Sequence, residues 1–290
     1  MRNAPPALGV LFGAFVATLA SATVAEEPQN CGTANALGVS RTITIDATGG
    51  PWFGAPHGNP DLLAPGEVVL TFDDGPAPQT TRPILAALAA QCTKATFFMV
   101  GEMAAEYPDV VREVAEQGHT LGTHTWSHLN LKRLHADAMK EQIEAAITAV
   151  EKSAGAKIAP FFRYPYLSDS PATVAYLQSR NIAQFAIDVD SFDWRTRNAK
   201  NVVRRVMTNL AQQGRGIILL HDIHSSTAAA VPELLAELKA KGYRIVHLQP
   251  SLAVETLPGF GPPVKTAHTR AVHRLRLRAR SGTSPTWMIW

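Results

Sequence analysis

The sequence predicts an α/β protein built on a parallel sheet, either doubly wound or closed into a barrel. Three observations carry this. From Glu67 onward, short apolar runs alternate strictly with amphipathic stretches over seven repeats. The runs Ile182–Val189 and Gly216–Leu220 are nearly continuous in apolar residues, as suits strands covered by helices on both faces. Proline and glycine punctuate the intervening segments where helices start and stop.

Along the chain, the predicted strands are Val68–Phe72, Ala95–Val100, Thr120–Thr123, Phe161–Tyr164, Ile182–Val189, Gly216–Leu220 and Tyr243–Leu248. Helical patterns fall between them at about 80–91, 108–118, 135–154, 171–180, 199–213 and 229–241. Pro83, Pro108, Pro171 and Pro232 mark helix starts, where a missing N–H costs nothing. Gly118, Gly155, Gly214 and Gly242 mark the ends. The alternation spans 67–249 as one domain. Ahead of it, 26–66 reads as a Gly- and Pro-rich arm with one β-like stretch, Arg41–Ile45. Beyond Pro250, the segment with Pro258, Gly259, Gly261, Pro262 and Pro263 reads as a linker into a mobile basic tail, 250–290 in all.

The first 25 residues have the form of a secretory signal peptide. Arg2 precedes an apolar run from Leu8 to Ala20, and small residues at Ala20, Ala22, Thr23 and Ala25 allow cleavage after Ala22 or Ala25. The run is short for a membrane span, which takes about 20 residues. An exported chain, periplasmic or extracellular, with no transmembrane segment after processing is the expectation, against an uncleaved anchor. Its two cysteines, Cys31 and Cys92, then read most simply as one disulfide, with two free buried thiols as the alternative. The bridge would close a loop of about 60 residues and contribute roughly 4 kcal/mol in the chain-entropy model.

Of 290 residues, 46% are hydrophobic and 18% charged, which excludes a disordered chain and a multi-pass membrane protein. The net charge of +3 is unevenly placed. Residues 256–290 hold six Lys and Arg and no acid; without those six, the 27 Lys+Arg of the chain become fewer than its 24 Asp+Glu. The mildly acidic body speaks against a nucleic-acid partner. The tail's Arg274, Arg276, Arg278 and Arg280 are a solvated run or a contact for anionic envelope surfaces.

The polar residues with chemical potential all fall just past strand ends, where parallel α/β folds build their sites. Asp73 and Asp74 follow the first predicted strand, His124 and His128 the third, Arg163 to Tyr166 the fourth, Asp190 to Trp194 the fifth, and His221 the sixth. His124-x3-His128 has the spacing by which one helical turn presents two imidazoles to a metal. Adjacent carboxylates at Asp73-Asp74, squeezed between a strand and Gly75-Pro76, demand a compensating cation or arginine. Asp-His-His ligation leaves positions open for water and substrate, as a catalytic zinc-type site requires. His119, His224, His57 and His135, with Tyr107, Trp126 and Phe98, read as structural, loop or packing residues, though His224 could touch substrate and Trp126 could equally be a sugar platform.

Five ordered motifs complete the pattern: Thr71-Phe72-Asp73-Asp74-Gly75-Pro76, His124-x3-His128, Arg163-x-Pro165-Tyr166, Asp190-Ser191-Phe192-Asp193-Trp194 and Leu219-Leu220-His221. They resemble those of the polysaccharide deacetylases, the NodB-homology family of carbohydrate esterases (carbohydrate esterase family 4). The resemblance covers 67–249. It implies a distorted (β/α)7 barrel and metal-dependent hydrolysis of N-acetyl groups on a glycan containing N-acetylglucosamine, such as peptidoglycan or a chitin-like oligosaccharide. By the same resemblance, Asp74, His124 and His128 would bind a divalent metal, zinc or else Co2+, Ni2+ or Mn2+. Asp73 would be the general base, paired with Arg163, and His221 the general acid, oriented by Asp193. The Tyr166 amide would meet the oxyanion, while Trp194 and Leu219 would line a pocket for the acetyl methyl. Leu167 departs from the glycine frequent at its position in the family, which implies a narrower or reshaped cleft. Two other readings remain: an O-acetyl esterase acting on xylan or exopolysaccharide, and a non-catalytic glycan-binding module. A small cyclic amide as substrate fits the export signal and full motif set less well. The sequence leaves the oligomeric state open.

Overall fold

The computed structural model describes Met1, residues 35–57 and residues 62–261. Among these, ten strands form in order: β1 (Arg41–Ile45), β2 (Trp52–Phe53), β3 (Glu67–Asp73), β4 (Thr96–Met99), β5 (Thr120–Thr123), β6 (Phe161–Phe162), β7 (Ala183–Phe185), β8 (Val189–Asp190), β9 (Gly216–His221) and β10 (Arg244–Pro250). Seven helices accompany them: α1 (Pro78–Ala90), α2 (Gly101–Glu106), α3 (Pro108–Glu116), α4 (Ala136–Ala154), α5 (Pro171–Ser179), α6 (Ala199–Gln213) and α7 (Ser225–Ala240). Every strand pair is parallel.

The strands run β8-β9-β3-β4-β5-β6-β7 around an incomplete barrel. Its break lies between β7 and β8, where the predicted strand Ile182–Val189 divides in two. Asp188 bridges that break: its amide donates to the Ile217 carbonyl at 3.0 Å, and its carboxylate accepts from the amides of Ile217 at 2.8 Å and Ala55 at 3.0 Å. β10 joins at the other end of the barrel, pairing with the first two residues of β3.

Alternation along each strand divides the apolar residues into two layers. Val68, Leu70 and Phe72 of β3, with Phe97 and Met99 of β4 and Ile218 and Leu220 of β9, face outward and pack under the helices. Val69, Phe98, Phe161, Phe185 and Ile217 belong to a second cluster that fills the barrel. On the same parity as this inner set, Thr71, Asp73, Leu219, Arg163 and His221 face the interior toward the carboxyl ends of the strands. The fold thereby delivers polar side chains to one mouth of an otherwise apolar barrel.

Helix ends follow local chemistry. Ser170 and Thr173 form a reciprocal capping box at the start of α5, and Asn198 caps α6. Gly155 and Gly214 end α4 and α6 in the left-handed region, at φ 68° and 75°. Pro108 and Pro171 open α3 and α5 as expected, whereas Pro83 and Pro232 lie inside α1 and α7. Helix α7 begins at Ser225, earlier than its apolar pattern suggested, and α2 was not predicted at all.

The segments flanking the predicted domain join it. β1 pairs along its whole length with β10, and β2 pairs with β7. After β10, where a linker was expected, Val254 is buried, its amide donates to the Ile158 carbonyl at 3.0 Å, and Thr148 Oγ1 donates to the Phe260 carbonyl at 3.0 Å. Cys31, the signal segment and the basic tail from 262 onward lie outside the described residues. No described helix is long and apolar enough to cross a membrane.

The contact between arm and barrel is tight at Gly54, where φ is +87° and an added Cβ would lie 2.7 Å from the Ala186 carbonyl carbon. Gly49 has a similar φ of +74° but open space around it. Gly54→Ala should therefore cost about 1–3 kcal/mol more than Gly49→Ala, since backbone must move in the first case alone. Urea denaturation midpoints of the two variants measure the difference, and equal midpoints would show that the arm is loosely held.

Candidate active site

Strand register sets the first relation. β3 and β9 pair with Asp73 directly beside His221, and Thr71 beside Leu219. The chain then turns sharply: Asp74 has φ 76°, in the left-handed region, so its carboxylate leaves the strand in a different direction from that of Asp73. Gly75 follows with the Asp222 carboxylate packed where a Cβ would stand, so no larger residue fits that bend.

Asp74 Oδ1 lies 3.3 Å from His128 Nε2 and 3.6 Å from His124 Nε2. Ligand atoms of the three residues all fall within 4.8 Å of one another. His124 Nδ1 stands 2.7 Å from the Arg163 carbonyl, so it carries the proton and donates, and the Nε2 lone pair points at Asp74. Burial, against the opposing pull of Asp73, lowers the His124 pKa to about 4 and keeps the ring neutral. For Asp74, burial favours the neutral acid, but His128, His221, His124 and His224 together hold its carboxyl well below the usual carboxylate range. Its Oδ1 is buried and accepts no hydrogen bond. An ionised, orphaned carboxylate oxygen facing two imidazole nitrogens is a set of donors awaiting a cation, and one carboxylate with two imidazoles suits zinc and similar divalent ions.

The two histidines do not share a helical turn, as their spacing suggested. His124 directly follows β5, and the chain then loops with Thr125 at φ 66° and His128 at φ 58°. Two left-handed residues curl the loop so that both rings meet, their centroids 5.0 Å apart.

Arg163 is fully buried inside the barrel. Its Nη1 donates to Asp73 Oδ1 at 2.8 Å and to Thr71 Oγ1 at 2.7 Å. Nε and Nη2 donate to the carbonyls of Phe185 and Ala186 at the barrel break, at 3.3 and 3.2 Å. The guanidinium also lies 4.3 Å above the Phe98 ring.

Across β3 from that group, His221 Nδ1 is 2.7 Å from Asp193 Oδ1. Asp193 Oδ2 accepts from the His221 amide and from Thr227 Oγ1, both at 2.7 Å. Burial would lower the His221 pKa, but Asp193, with Asp74 and Asp73 adding to it, raises it to about 10. Asp193 itself is pulled below its ordinary value, because His221 outweighs the effect of burial.

The remaining predicted residues surround these. Tyr166, at φ 60°, packs edge-on against His128 with centroids 4.8 Å apart and is more than half exposed, next to exposed Leu167 and Leu129. Trp194 is half-buried in a short 3-10 turn, and Leu219 is buried beside Asp190 on β8. Trp126 is core, packed with Ala145 and Ala149, and His119 is buried with Nδ1 accepting from the Ala95 amide at 3.2 Å. Cys92 stands half-buried after α1, apart from this group.

Asp222 was not foreseen here. Asp222 is a third buried carboxyl, held by Thr81 Oγ1 at 2.6 Å and pushed up to about 7, first by burial and then, against Thr81, by Asp74. His224, read as a loop residue that could touch substrate, stands at the N-cap position of α7 without a side-chain capping bond, its ring 5.8 Å from that of His221. Away from the site, on the helix-covered face of the sheet, Trp52 of the arm stacks on Tyr164 at 5.6 Å, and His57 lies 4.9 Å from Trp52. The signal for Asp222 was present in the chain, as an acid next to His221 at a strand end. The arm residues had no such signal.

The raised pKa of His221 fixes a pH dependence for the metal-free protein. A group whose folded pKa exceeds its ordinary value of about 6.5 stabilises fully below that value and loses its effect as pH rises through about 10. His221→Asn should thus lower stability most below pH 6.5, with the gap to the parent protein closing by pH 10. Denaturation at both pH values checks this; a constant gap would mean that the ring is neutral throughout.

Residues 63–185 match the polysaccharide deacetylase family. The peptidoglycan-N-acetylmuramic acid deacetylase PdaC of Bacillus subtilis is 38% identical over 182 residues, which are 62% of this chain and 37% of that protein. The chain thus spans little more than a third of the length of this relative. A chitooligosaccharide deacetylase of Azorhizobium caulinodans is 30% identical over 195 residues, 62% of this chain and 92% of the relative. The solved structure of a peptidoglycan deacetylase from Bdellovibrio bacteriovorus superposes with a TM-score of 0.67 at 33% identity, covering 77% of this chain and 61% of that one. With sequence and fold in agreement, the chain belongs to the polysaccharide deacetylase family, carbohydrate esterase family 4.

Proposed function

We propose that this protein removes N-acetyl groups from a glycan containing N-acetylglucosamine, peptidoglycan or a chitin-like oligosaccharide, and releases acetate. The observation that carries the reading is the convergence of a paired carboxylate, Asp73, and a cationic histidine, His221, on neighbouring register positions around the Asp74, His124 and His128 donors. The names of the relatives, deacetylases of peptidoglycan and of chitooligosaccharide, support it.

A divalent cation, zinc by the donor set, would be held by Asp74, His124 and His128 and would supply Lewis acidity to the water and to the acetamide carbonyl. The chain's own residues do the rest. Arg163 fixes Asp73 through Oδ1, so Oδ2 is the oxygen that takes a proton from the attacking water. The water oxygen bonds to the carbonyl carbon, and the amide N–H of Tyr166 meets the developing oxyanion. His221, with Nδ1 committed to Asp193, gives its Nε2 proton to the departing nitrogen as the C–N bond breaks. Trp194 and Leu219 enclose the acetyl methyl.

A histidine held protonated by a buried carboxylate is what an amine leaving group needs; an alcohol leaving from an ester needs it less. This favours N-deacetylation over the O-acetyl reading. A binding module, in turn, would have no use for the buried Asp73–Arg163 and His221–Asp193 pairs.

The apolar leader at 1–25 and the peptidoglycan-directed relatives support export, to the periplasm or outside the cell. There a Cys31–Cys92 disulfide would tie the N-terminal arm to α1, and the basic tail would contact anionic envelope surfaces.

Acetate release from chitooligosaccharide and from peptidoglycan, with and without chelator and restored zinc, tests the function directly; no release from either with zinc restored would overturn it, and chelator-insensitive release would remove the metal from the reaction. Asp73→Asn should lower kcat by at least about 10²-fold with metal content unchanged on elemental analysis. Activity within threefold of the parent would remove Asp73 as the base. His124→Ala should reduce the metal bound per chain, and undiminished stoichiometry would exclude His124 as a ligand.

A further inference from the structure

The roles set out above all address the acetamide: the water, the carbonyl, the methyl and the departing nitrogen. None addresses the sugar. At the same mouth, His224 has no part in the reaction so far. Its ring lies 5.8 Å from that of His221 and is tilted to it by 58°. Every other buried or half-buried histidine described has its ring engaged. His124 and His221 hold Arg163 and Asp193, His128 faces Asp74, His119 accepts from Ala95, and His247 meets Thr120 Oγ1 at 2.9 Å. Among the described residues, neither nitrogen of the His224 ring has a hydrogen-bond partner, and neither is sealed from water.

The backbone that carries this ring is nevertheless fixed. The amides of Thr227 and Ala228 donate to the His224 carbonyl at 3.1 and 3.0 Å, which starts α7. On either side of it in the chain, His221 Nδ1 and Thr227 Oγ1 are each tied to the Asp193 carboxylate at 2.7 Å. The segment that positions the general acid therefore positions His224 with it.

Its charge state suits an uncharged partner. Burial lowers the His224 pKa below that of an ordinary imidazole; Asp193 and Asp74 oppose this, and His221 adds to it. His224 acts in turn on Asp74, so it stands within reach of the donor cluster as well as of the general acid. Two imidazoles at one mouth thus differ in kind. His221 is cationic and has a proton to give, while His224 is neutral and offers one N–H and one lone pair. A sugar hydroxyl both donates and accepts, so either nitrogen of a neutral imidazole can pair with it.

We propose that His224 is a substrate-binding residue that hydrogen-bonds a hydroxyl of the sugar carrying the departing amine, and so aligns that amine with His221. The proposal rests on the deacetylase reading above and adds to it the group that meets the sugar. A partly buried polar group left unpaired by the wrong ligand also discriminates against it, which apolar contact alone does weakly.

The test compares His224→Leu, which keeps apolar bulk and removes both polar atoms, with His224→Gln, which restores a donor and an acceptor. The zinc-loaded full chain is assayed on chitotetraose and on soluble peptidoglycan fragments. His224→Leu should raise KM for the glycan turned over about three- to tenfold and lower kcat less than about threefold, and His224→Gln should bring KM back to within about twofold of the parent. A roughly tenfold fall of kcat in both variants with KM unmoved would make His224 a proton carrier and overturn the proposal. Parent-like KM in His224→Leu would show that the ring only fills space, and would overturn it too. Calorimetric titration of the same glycans into the zinc-loaded Asp73→Asn chain, with and without His224→Leu, reads the contact without turnover. A loss of affinity of about threefold or more is expected, and equal affinities would remove the contact. Weaker binding in His224→Leu with no acetate released by the parent chain would keep the contact and sink the deacetylase reading. Acetate release with a KM indifferent to His224 would do the reverse, and neither binding nor release would sink both.

Discussion

The ion pair between Arg163 and Asp73 is the interaction on which the site and the barrel both depend. A guanidinium with no exposure to water is tolerable only where its nitrogens are engaged, and here all three donate, to Asp73, Thr71 and the carbonyls of Phe185 and Ala186. Those two carbonyls stand at the break between β7 and β8, so Arg163 serves in place of the strand that a closed barrel would have there. Its own carbonyl accepts from His124 Nδ1. One residue therefore closes the barrel, positions Asp73 and orients a candidate metal ligand. Removing either member of such a pair typically costs about 3–5 kcal/mol, because the survivor is left charged and buried.

Two buried histidines at the same mouth have opposite fates, and the partner of Nδ1 decides between them. His124 faces a backbone carbonyl, a neutral acceptor that fixes the tautomer without favouring the cation, so burial prevails and the ring is a neutral donor. His221 faces the carboxylate of Asp193, which outweighs burial and holds a proton on the ring well above neutrality. Residue type alone does not distinguish a metal ligand from a general acid. What does so is whether the neighbouring acceptor is charged, and that depends on Asp193 lying across from β9 on the turn after β8.

Strand positions and the strand-end location of Asp73, His124, Arg163, Asp193 and His221 were legible because alternation and apolar runs are local signals. The loop from His124 to His128 was misread as helical because i,i+4 spacing is also reached by a loop with two left-handed residues, and nothing in Thr125 or His128 advertises that conformation. Ile182–Val189 looked like one strand because it is nearly continuous in apolar residues, all but Ile187 buried; the break comes from Arg163 and Asp188, which are distant in sequence or look like ordinary surface polar residues. β2 was missed because two residues carry no periodicity. Pro83 and Pro232 were placed at helix starts, but packing against the sheet holds α1 and α7 together through them.

Asp222 shows what such packing can impose at a site. Three carboxyls, Asp73, Asp74 and Asp222, crowd the end of β3, and like charges at that distance must be compensated one by one. Asp73 has Arg163, and Asp74 has a ring of imidazoles. Asp222 has only the Thr81 hydroxyl, with its second oxygen buried and without a hydrogen bond. Burial and the neighbouring Asp74 accordingly push it up to about 7, so that near neutrality a large fraction carries a proton instead of a third negative charge. The bend at Gly75 is open only because no Cβ competes with this carboxyl for space. The glycine, the neutralised acid and the left-handed Asp74 are thus one arrangement: the first makes room for the second, and the second lets the third remain the anion to which the imidazoles converge.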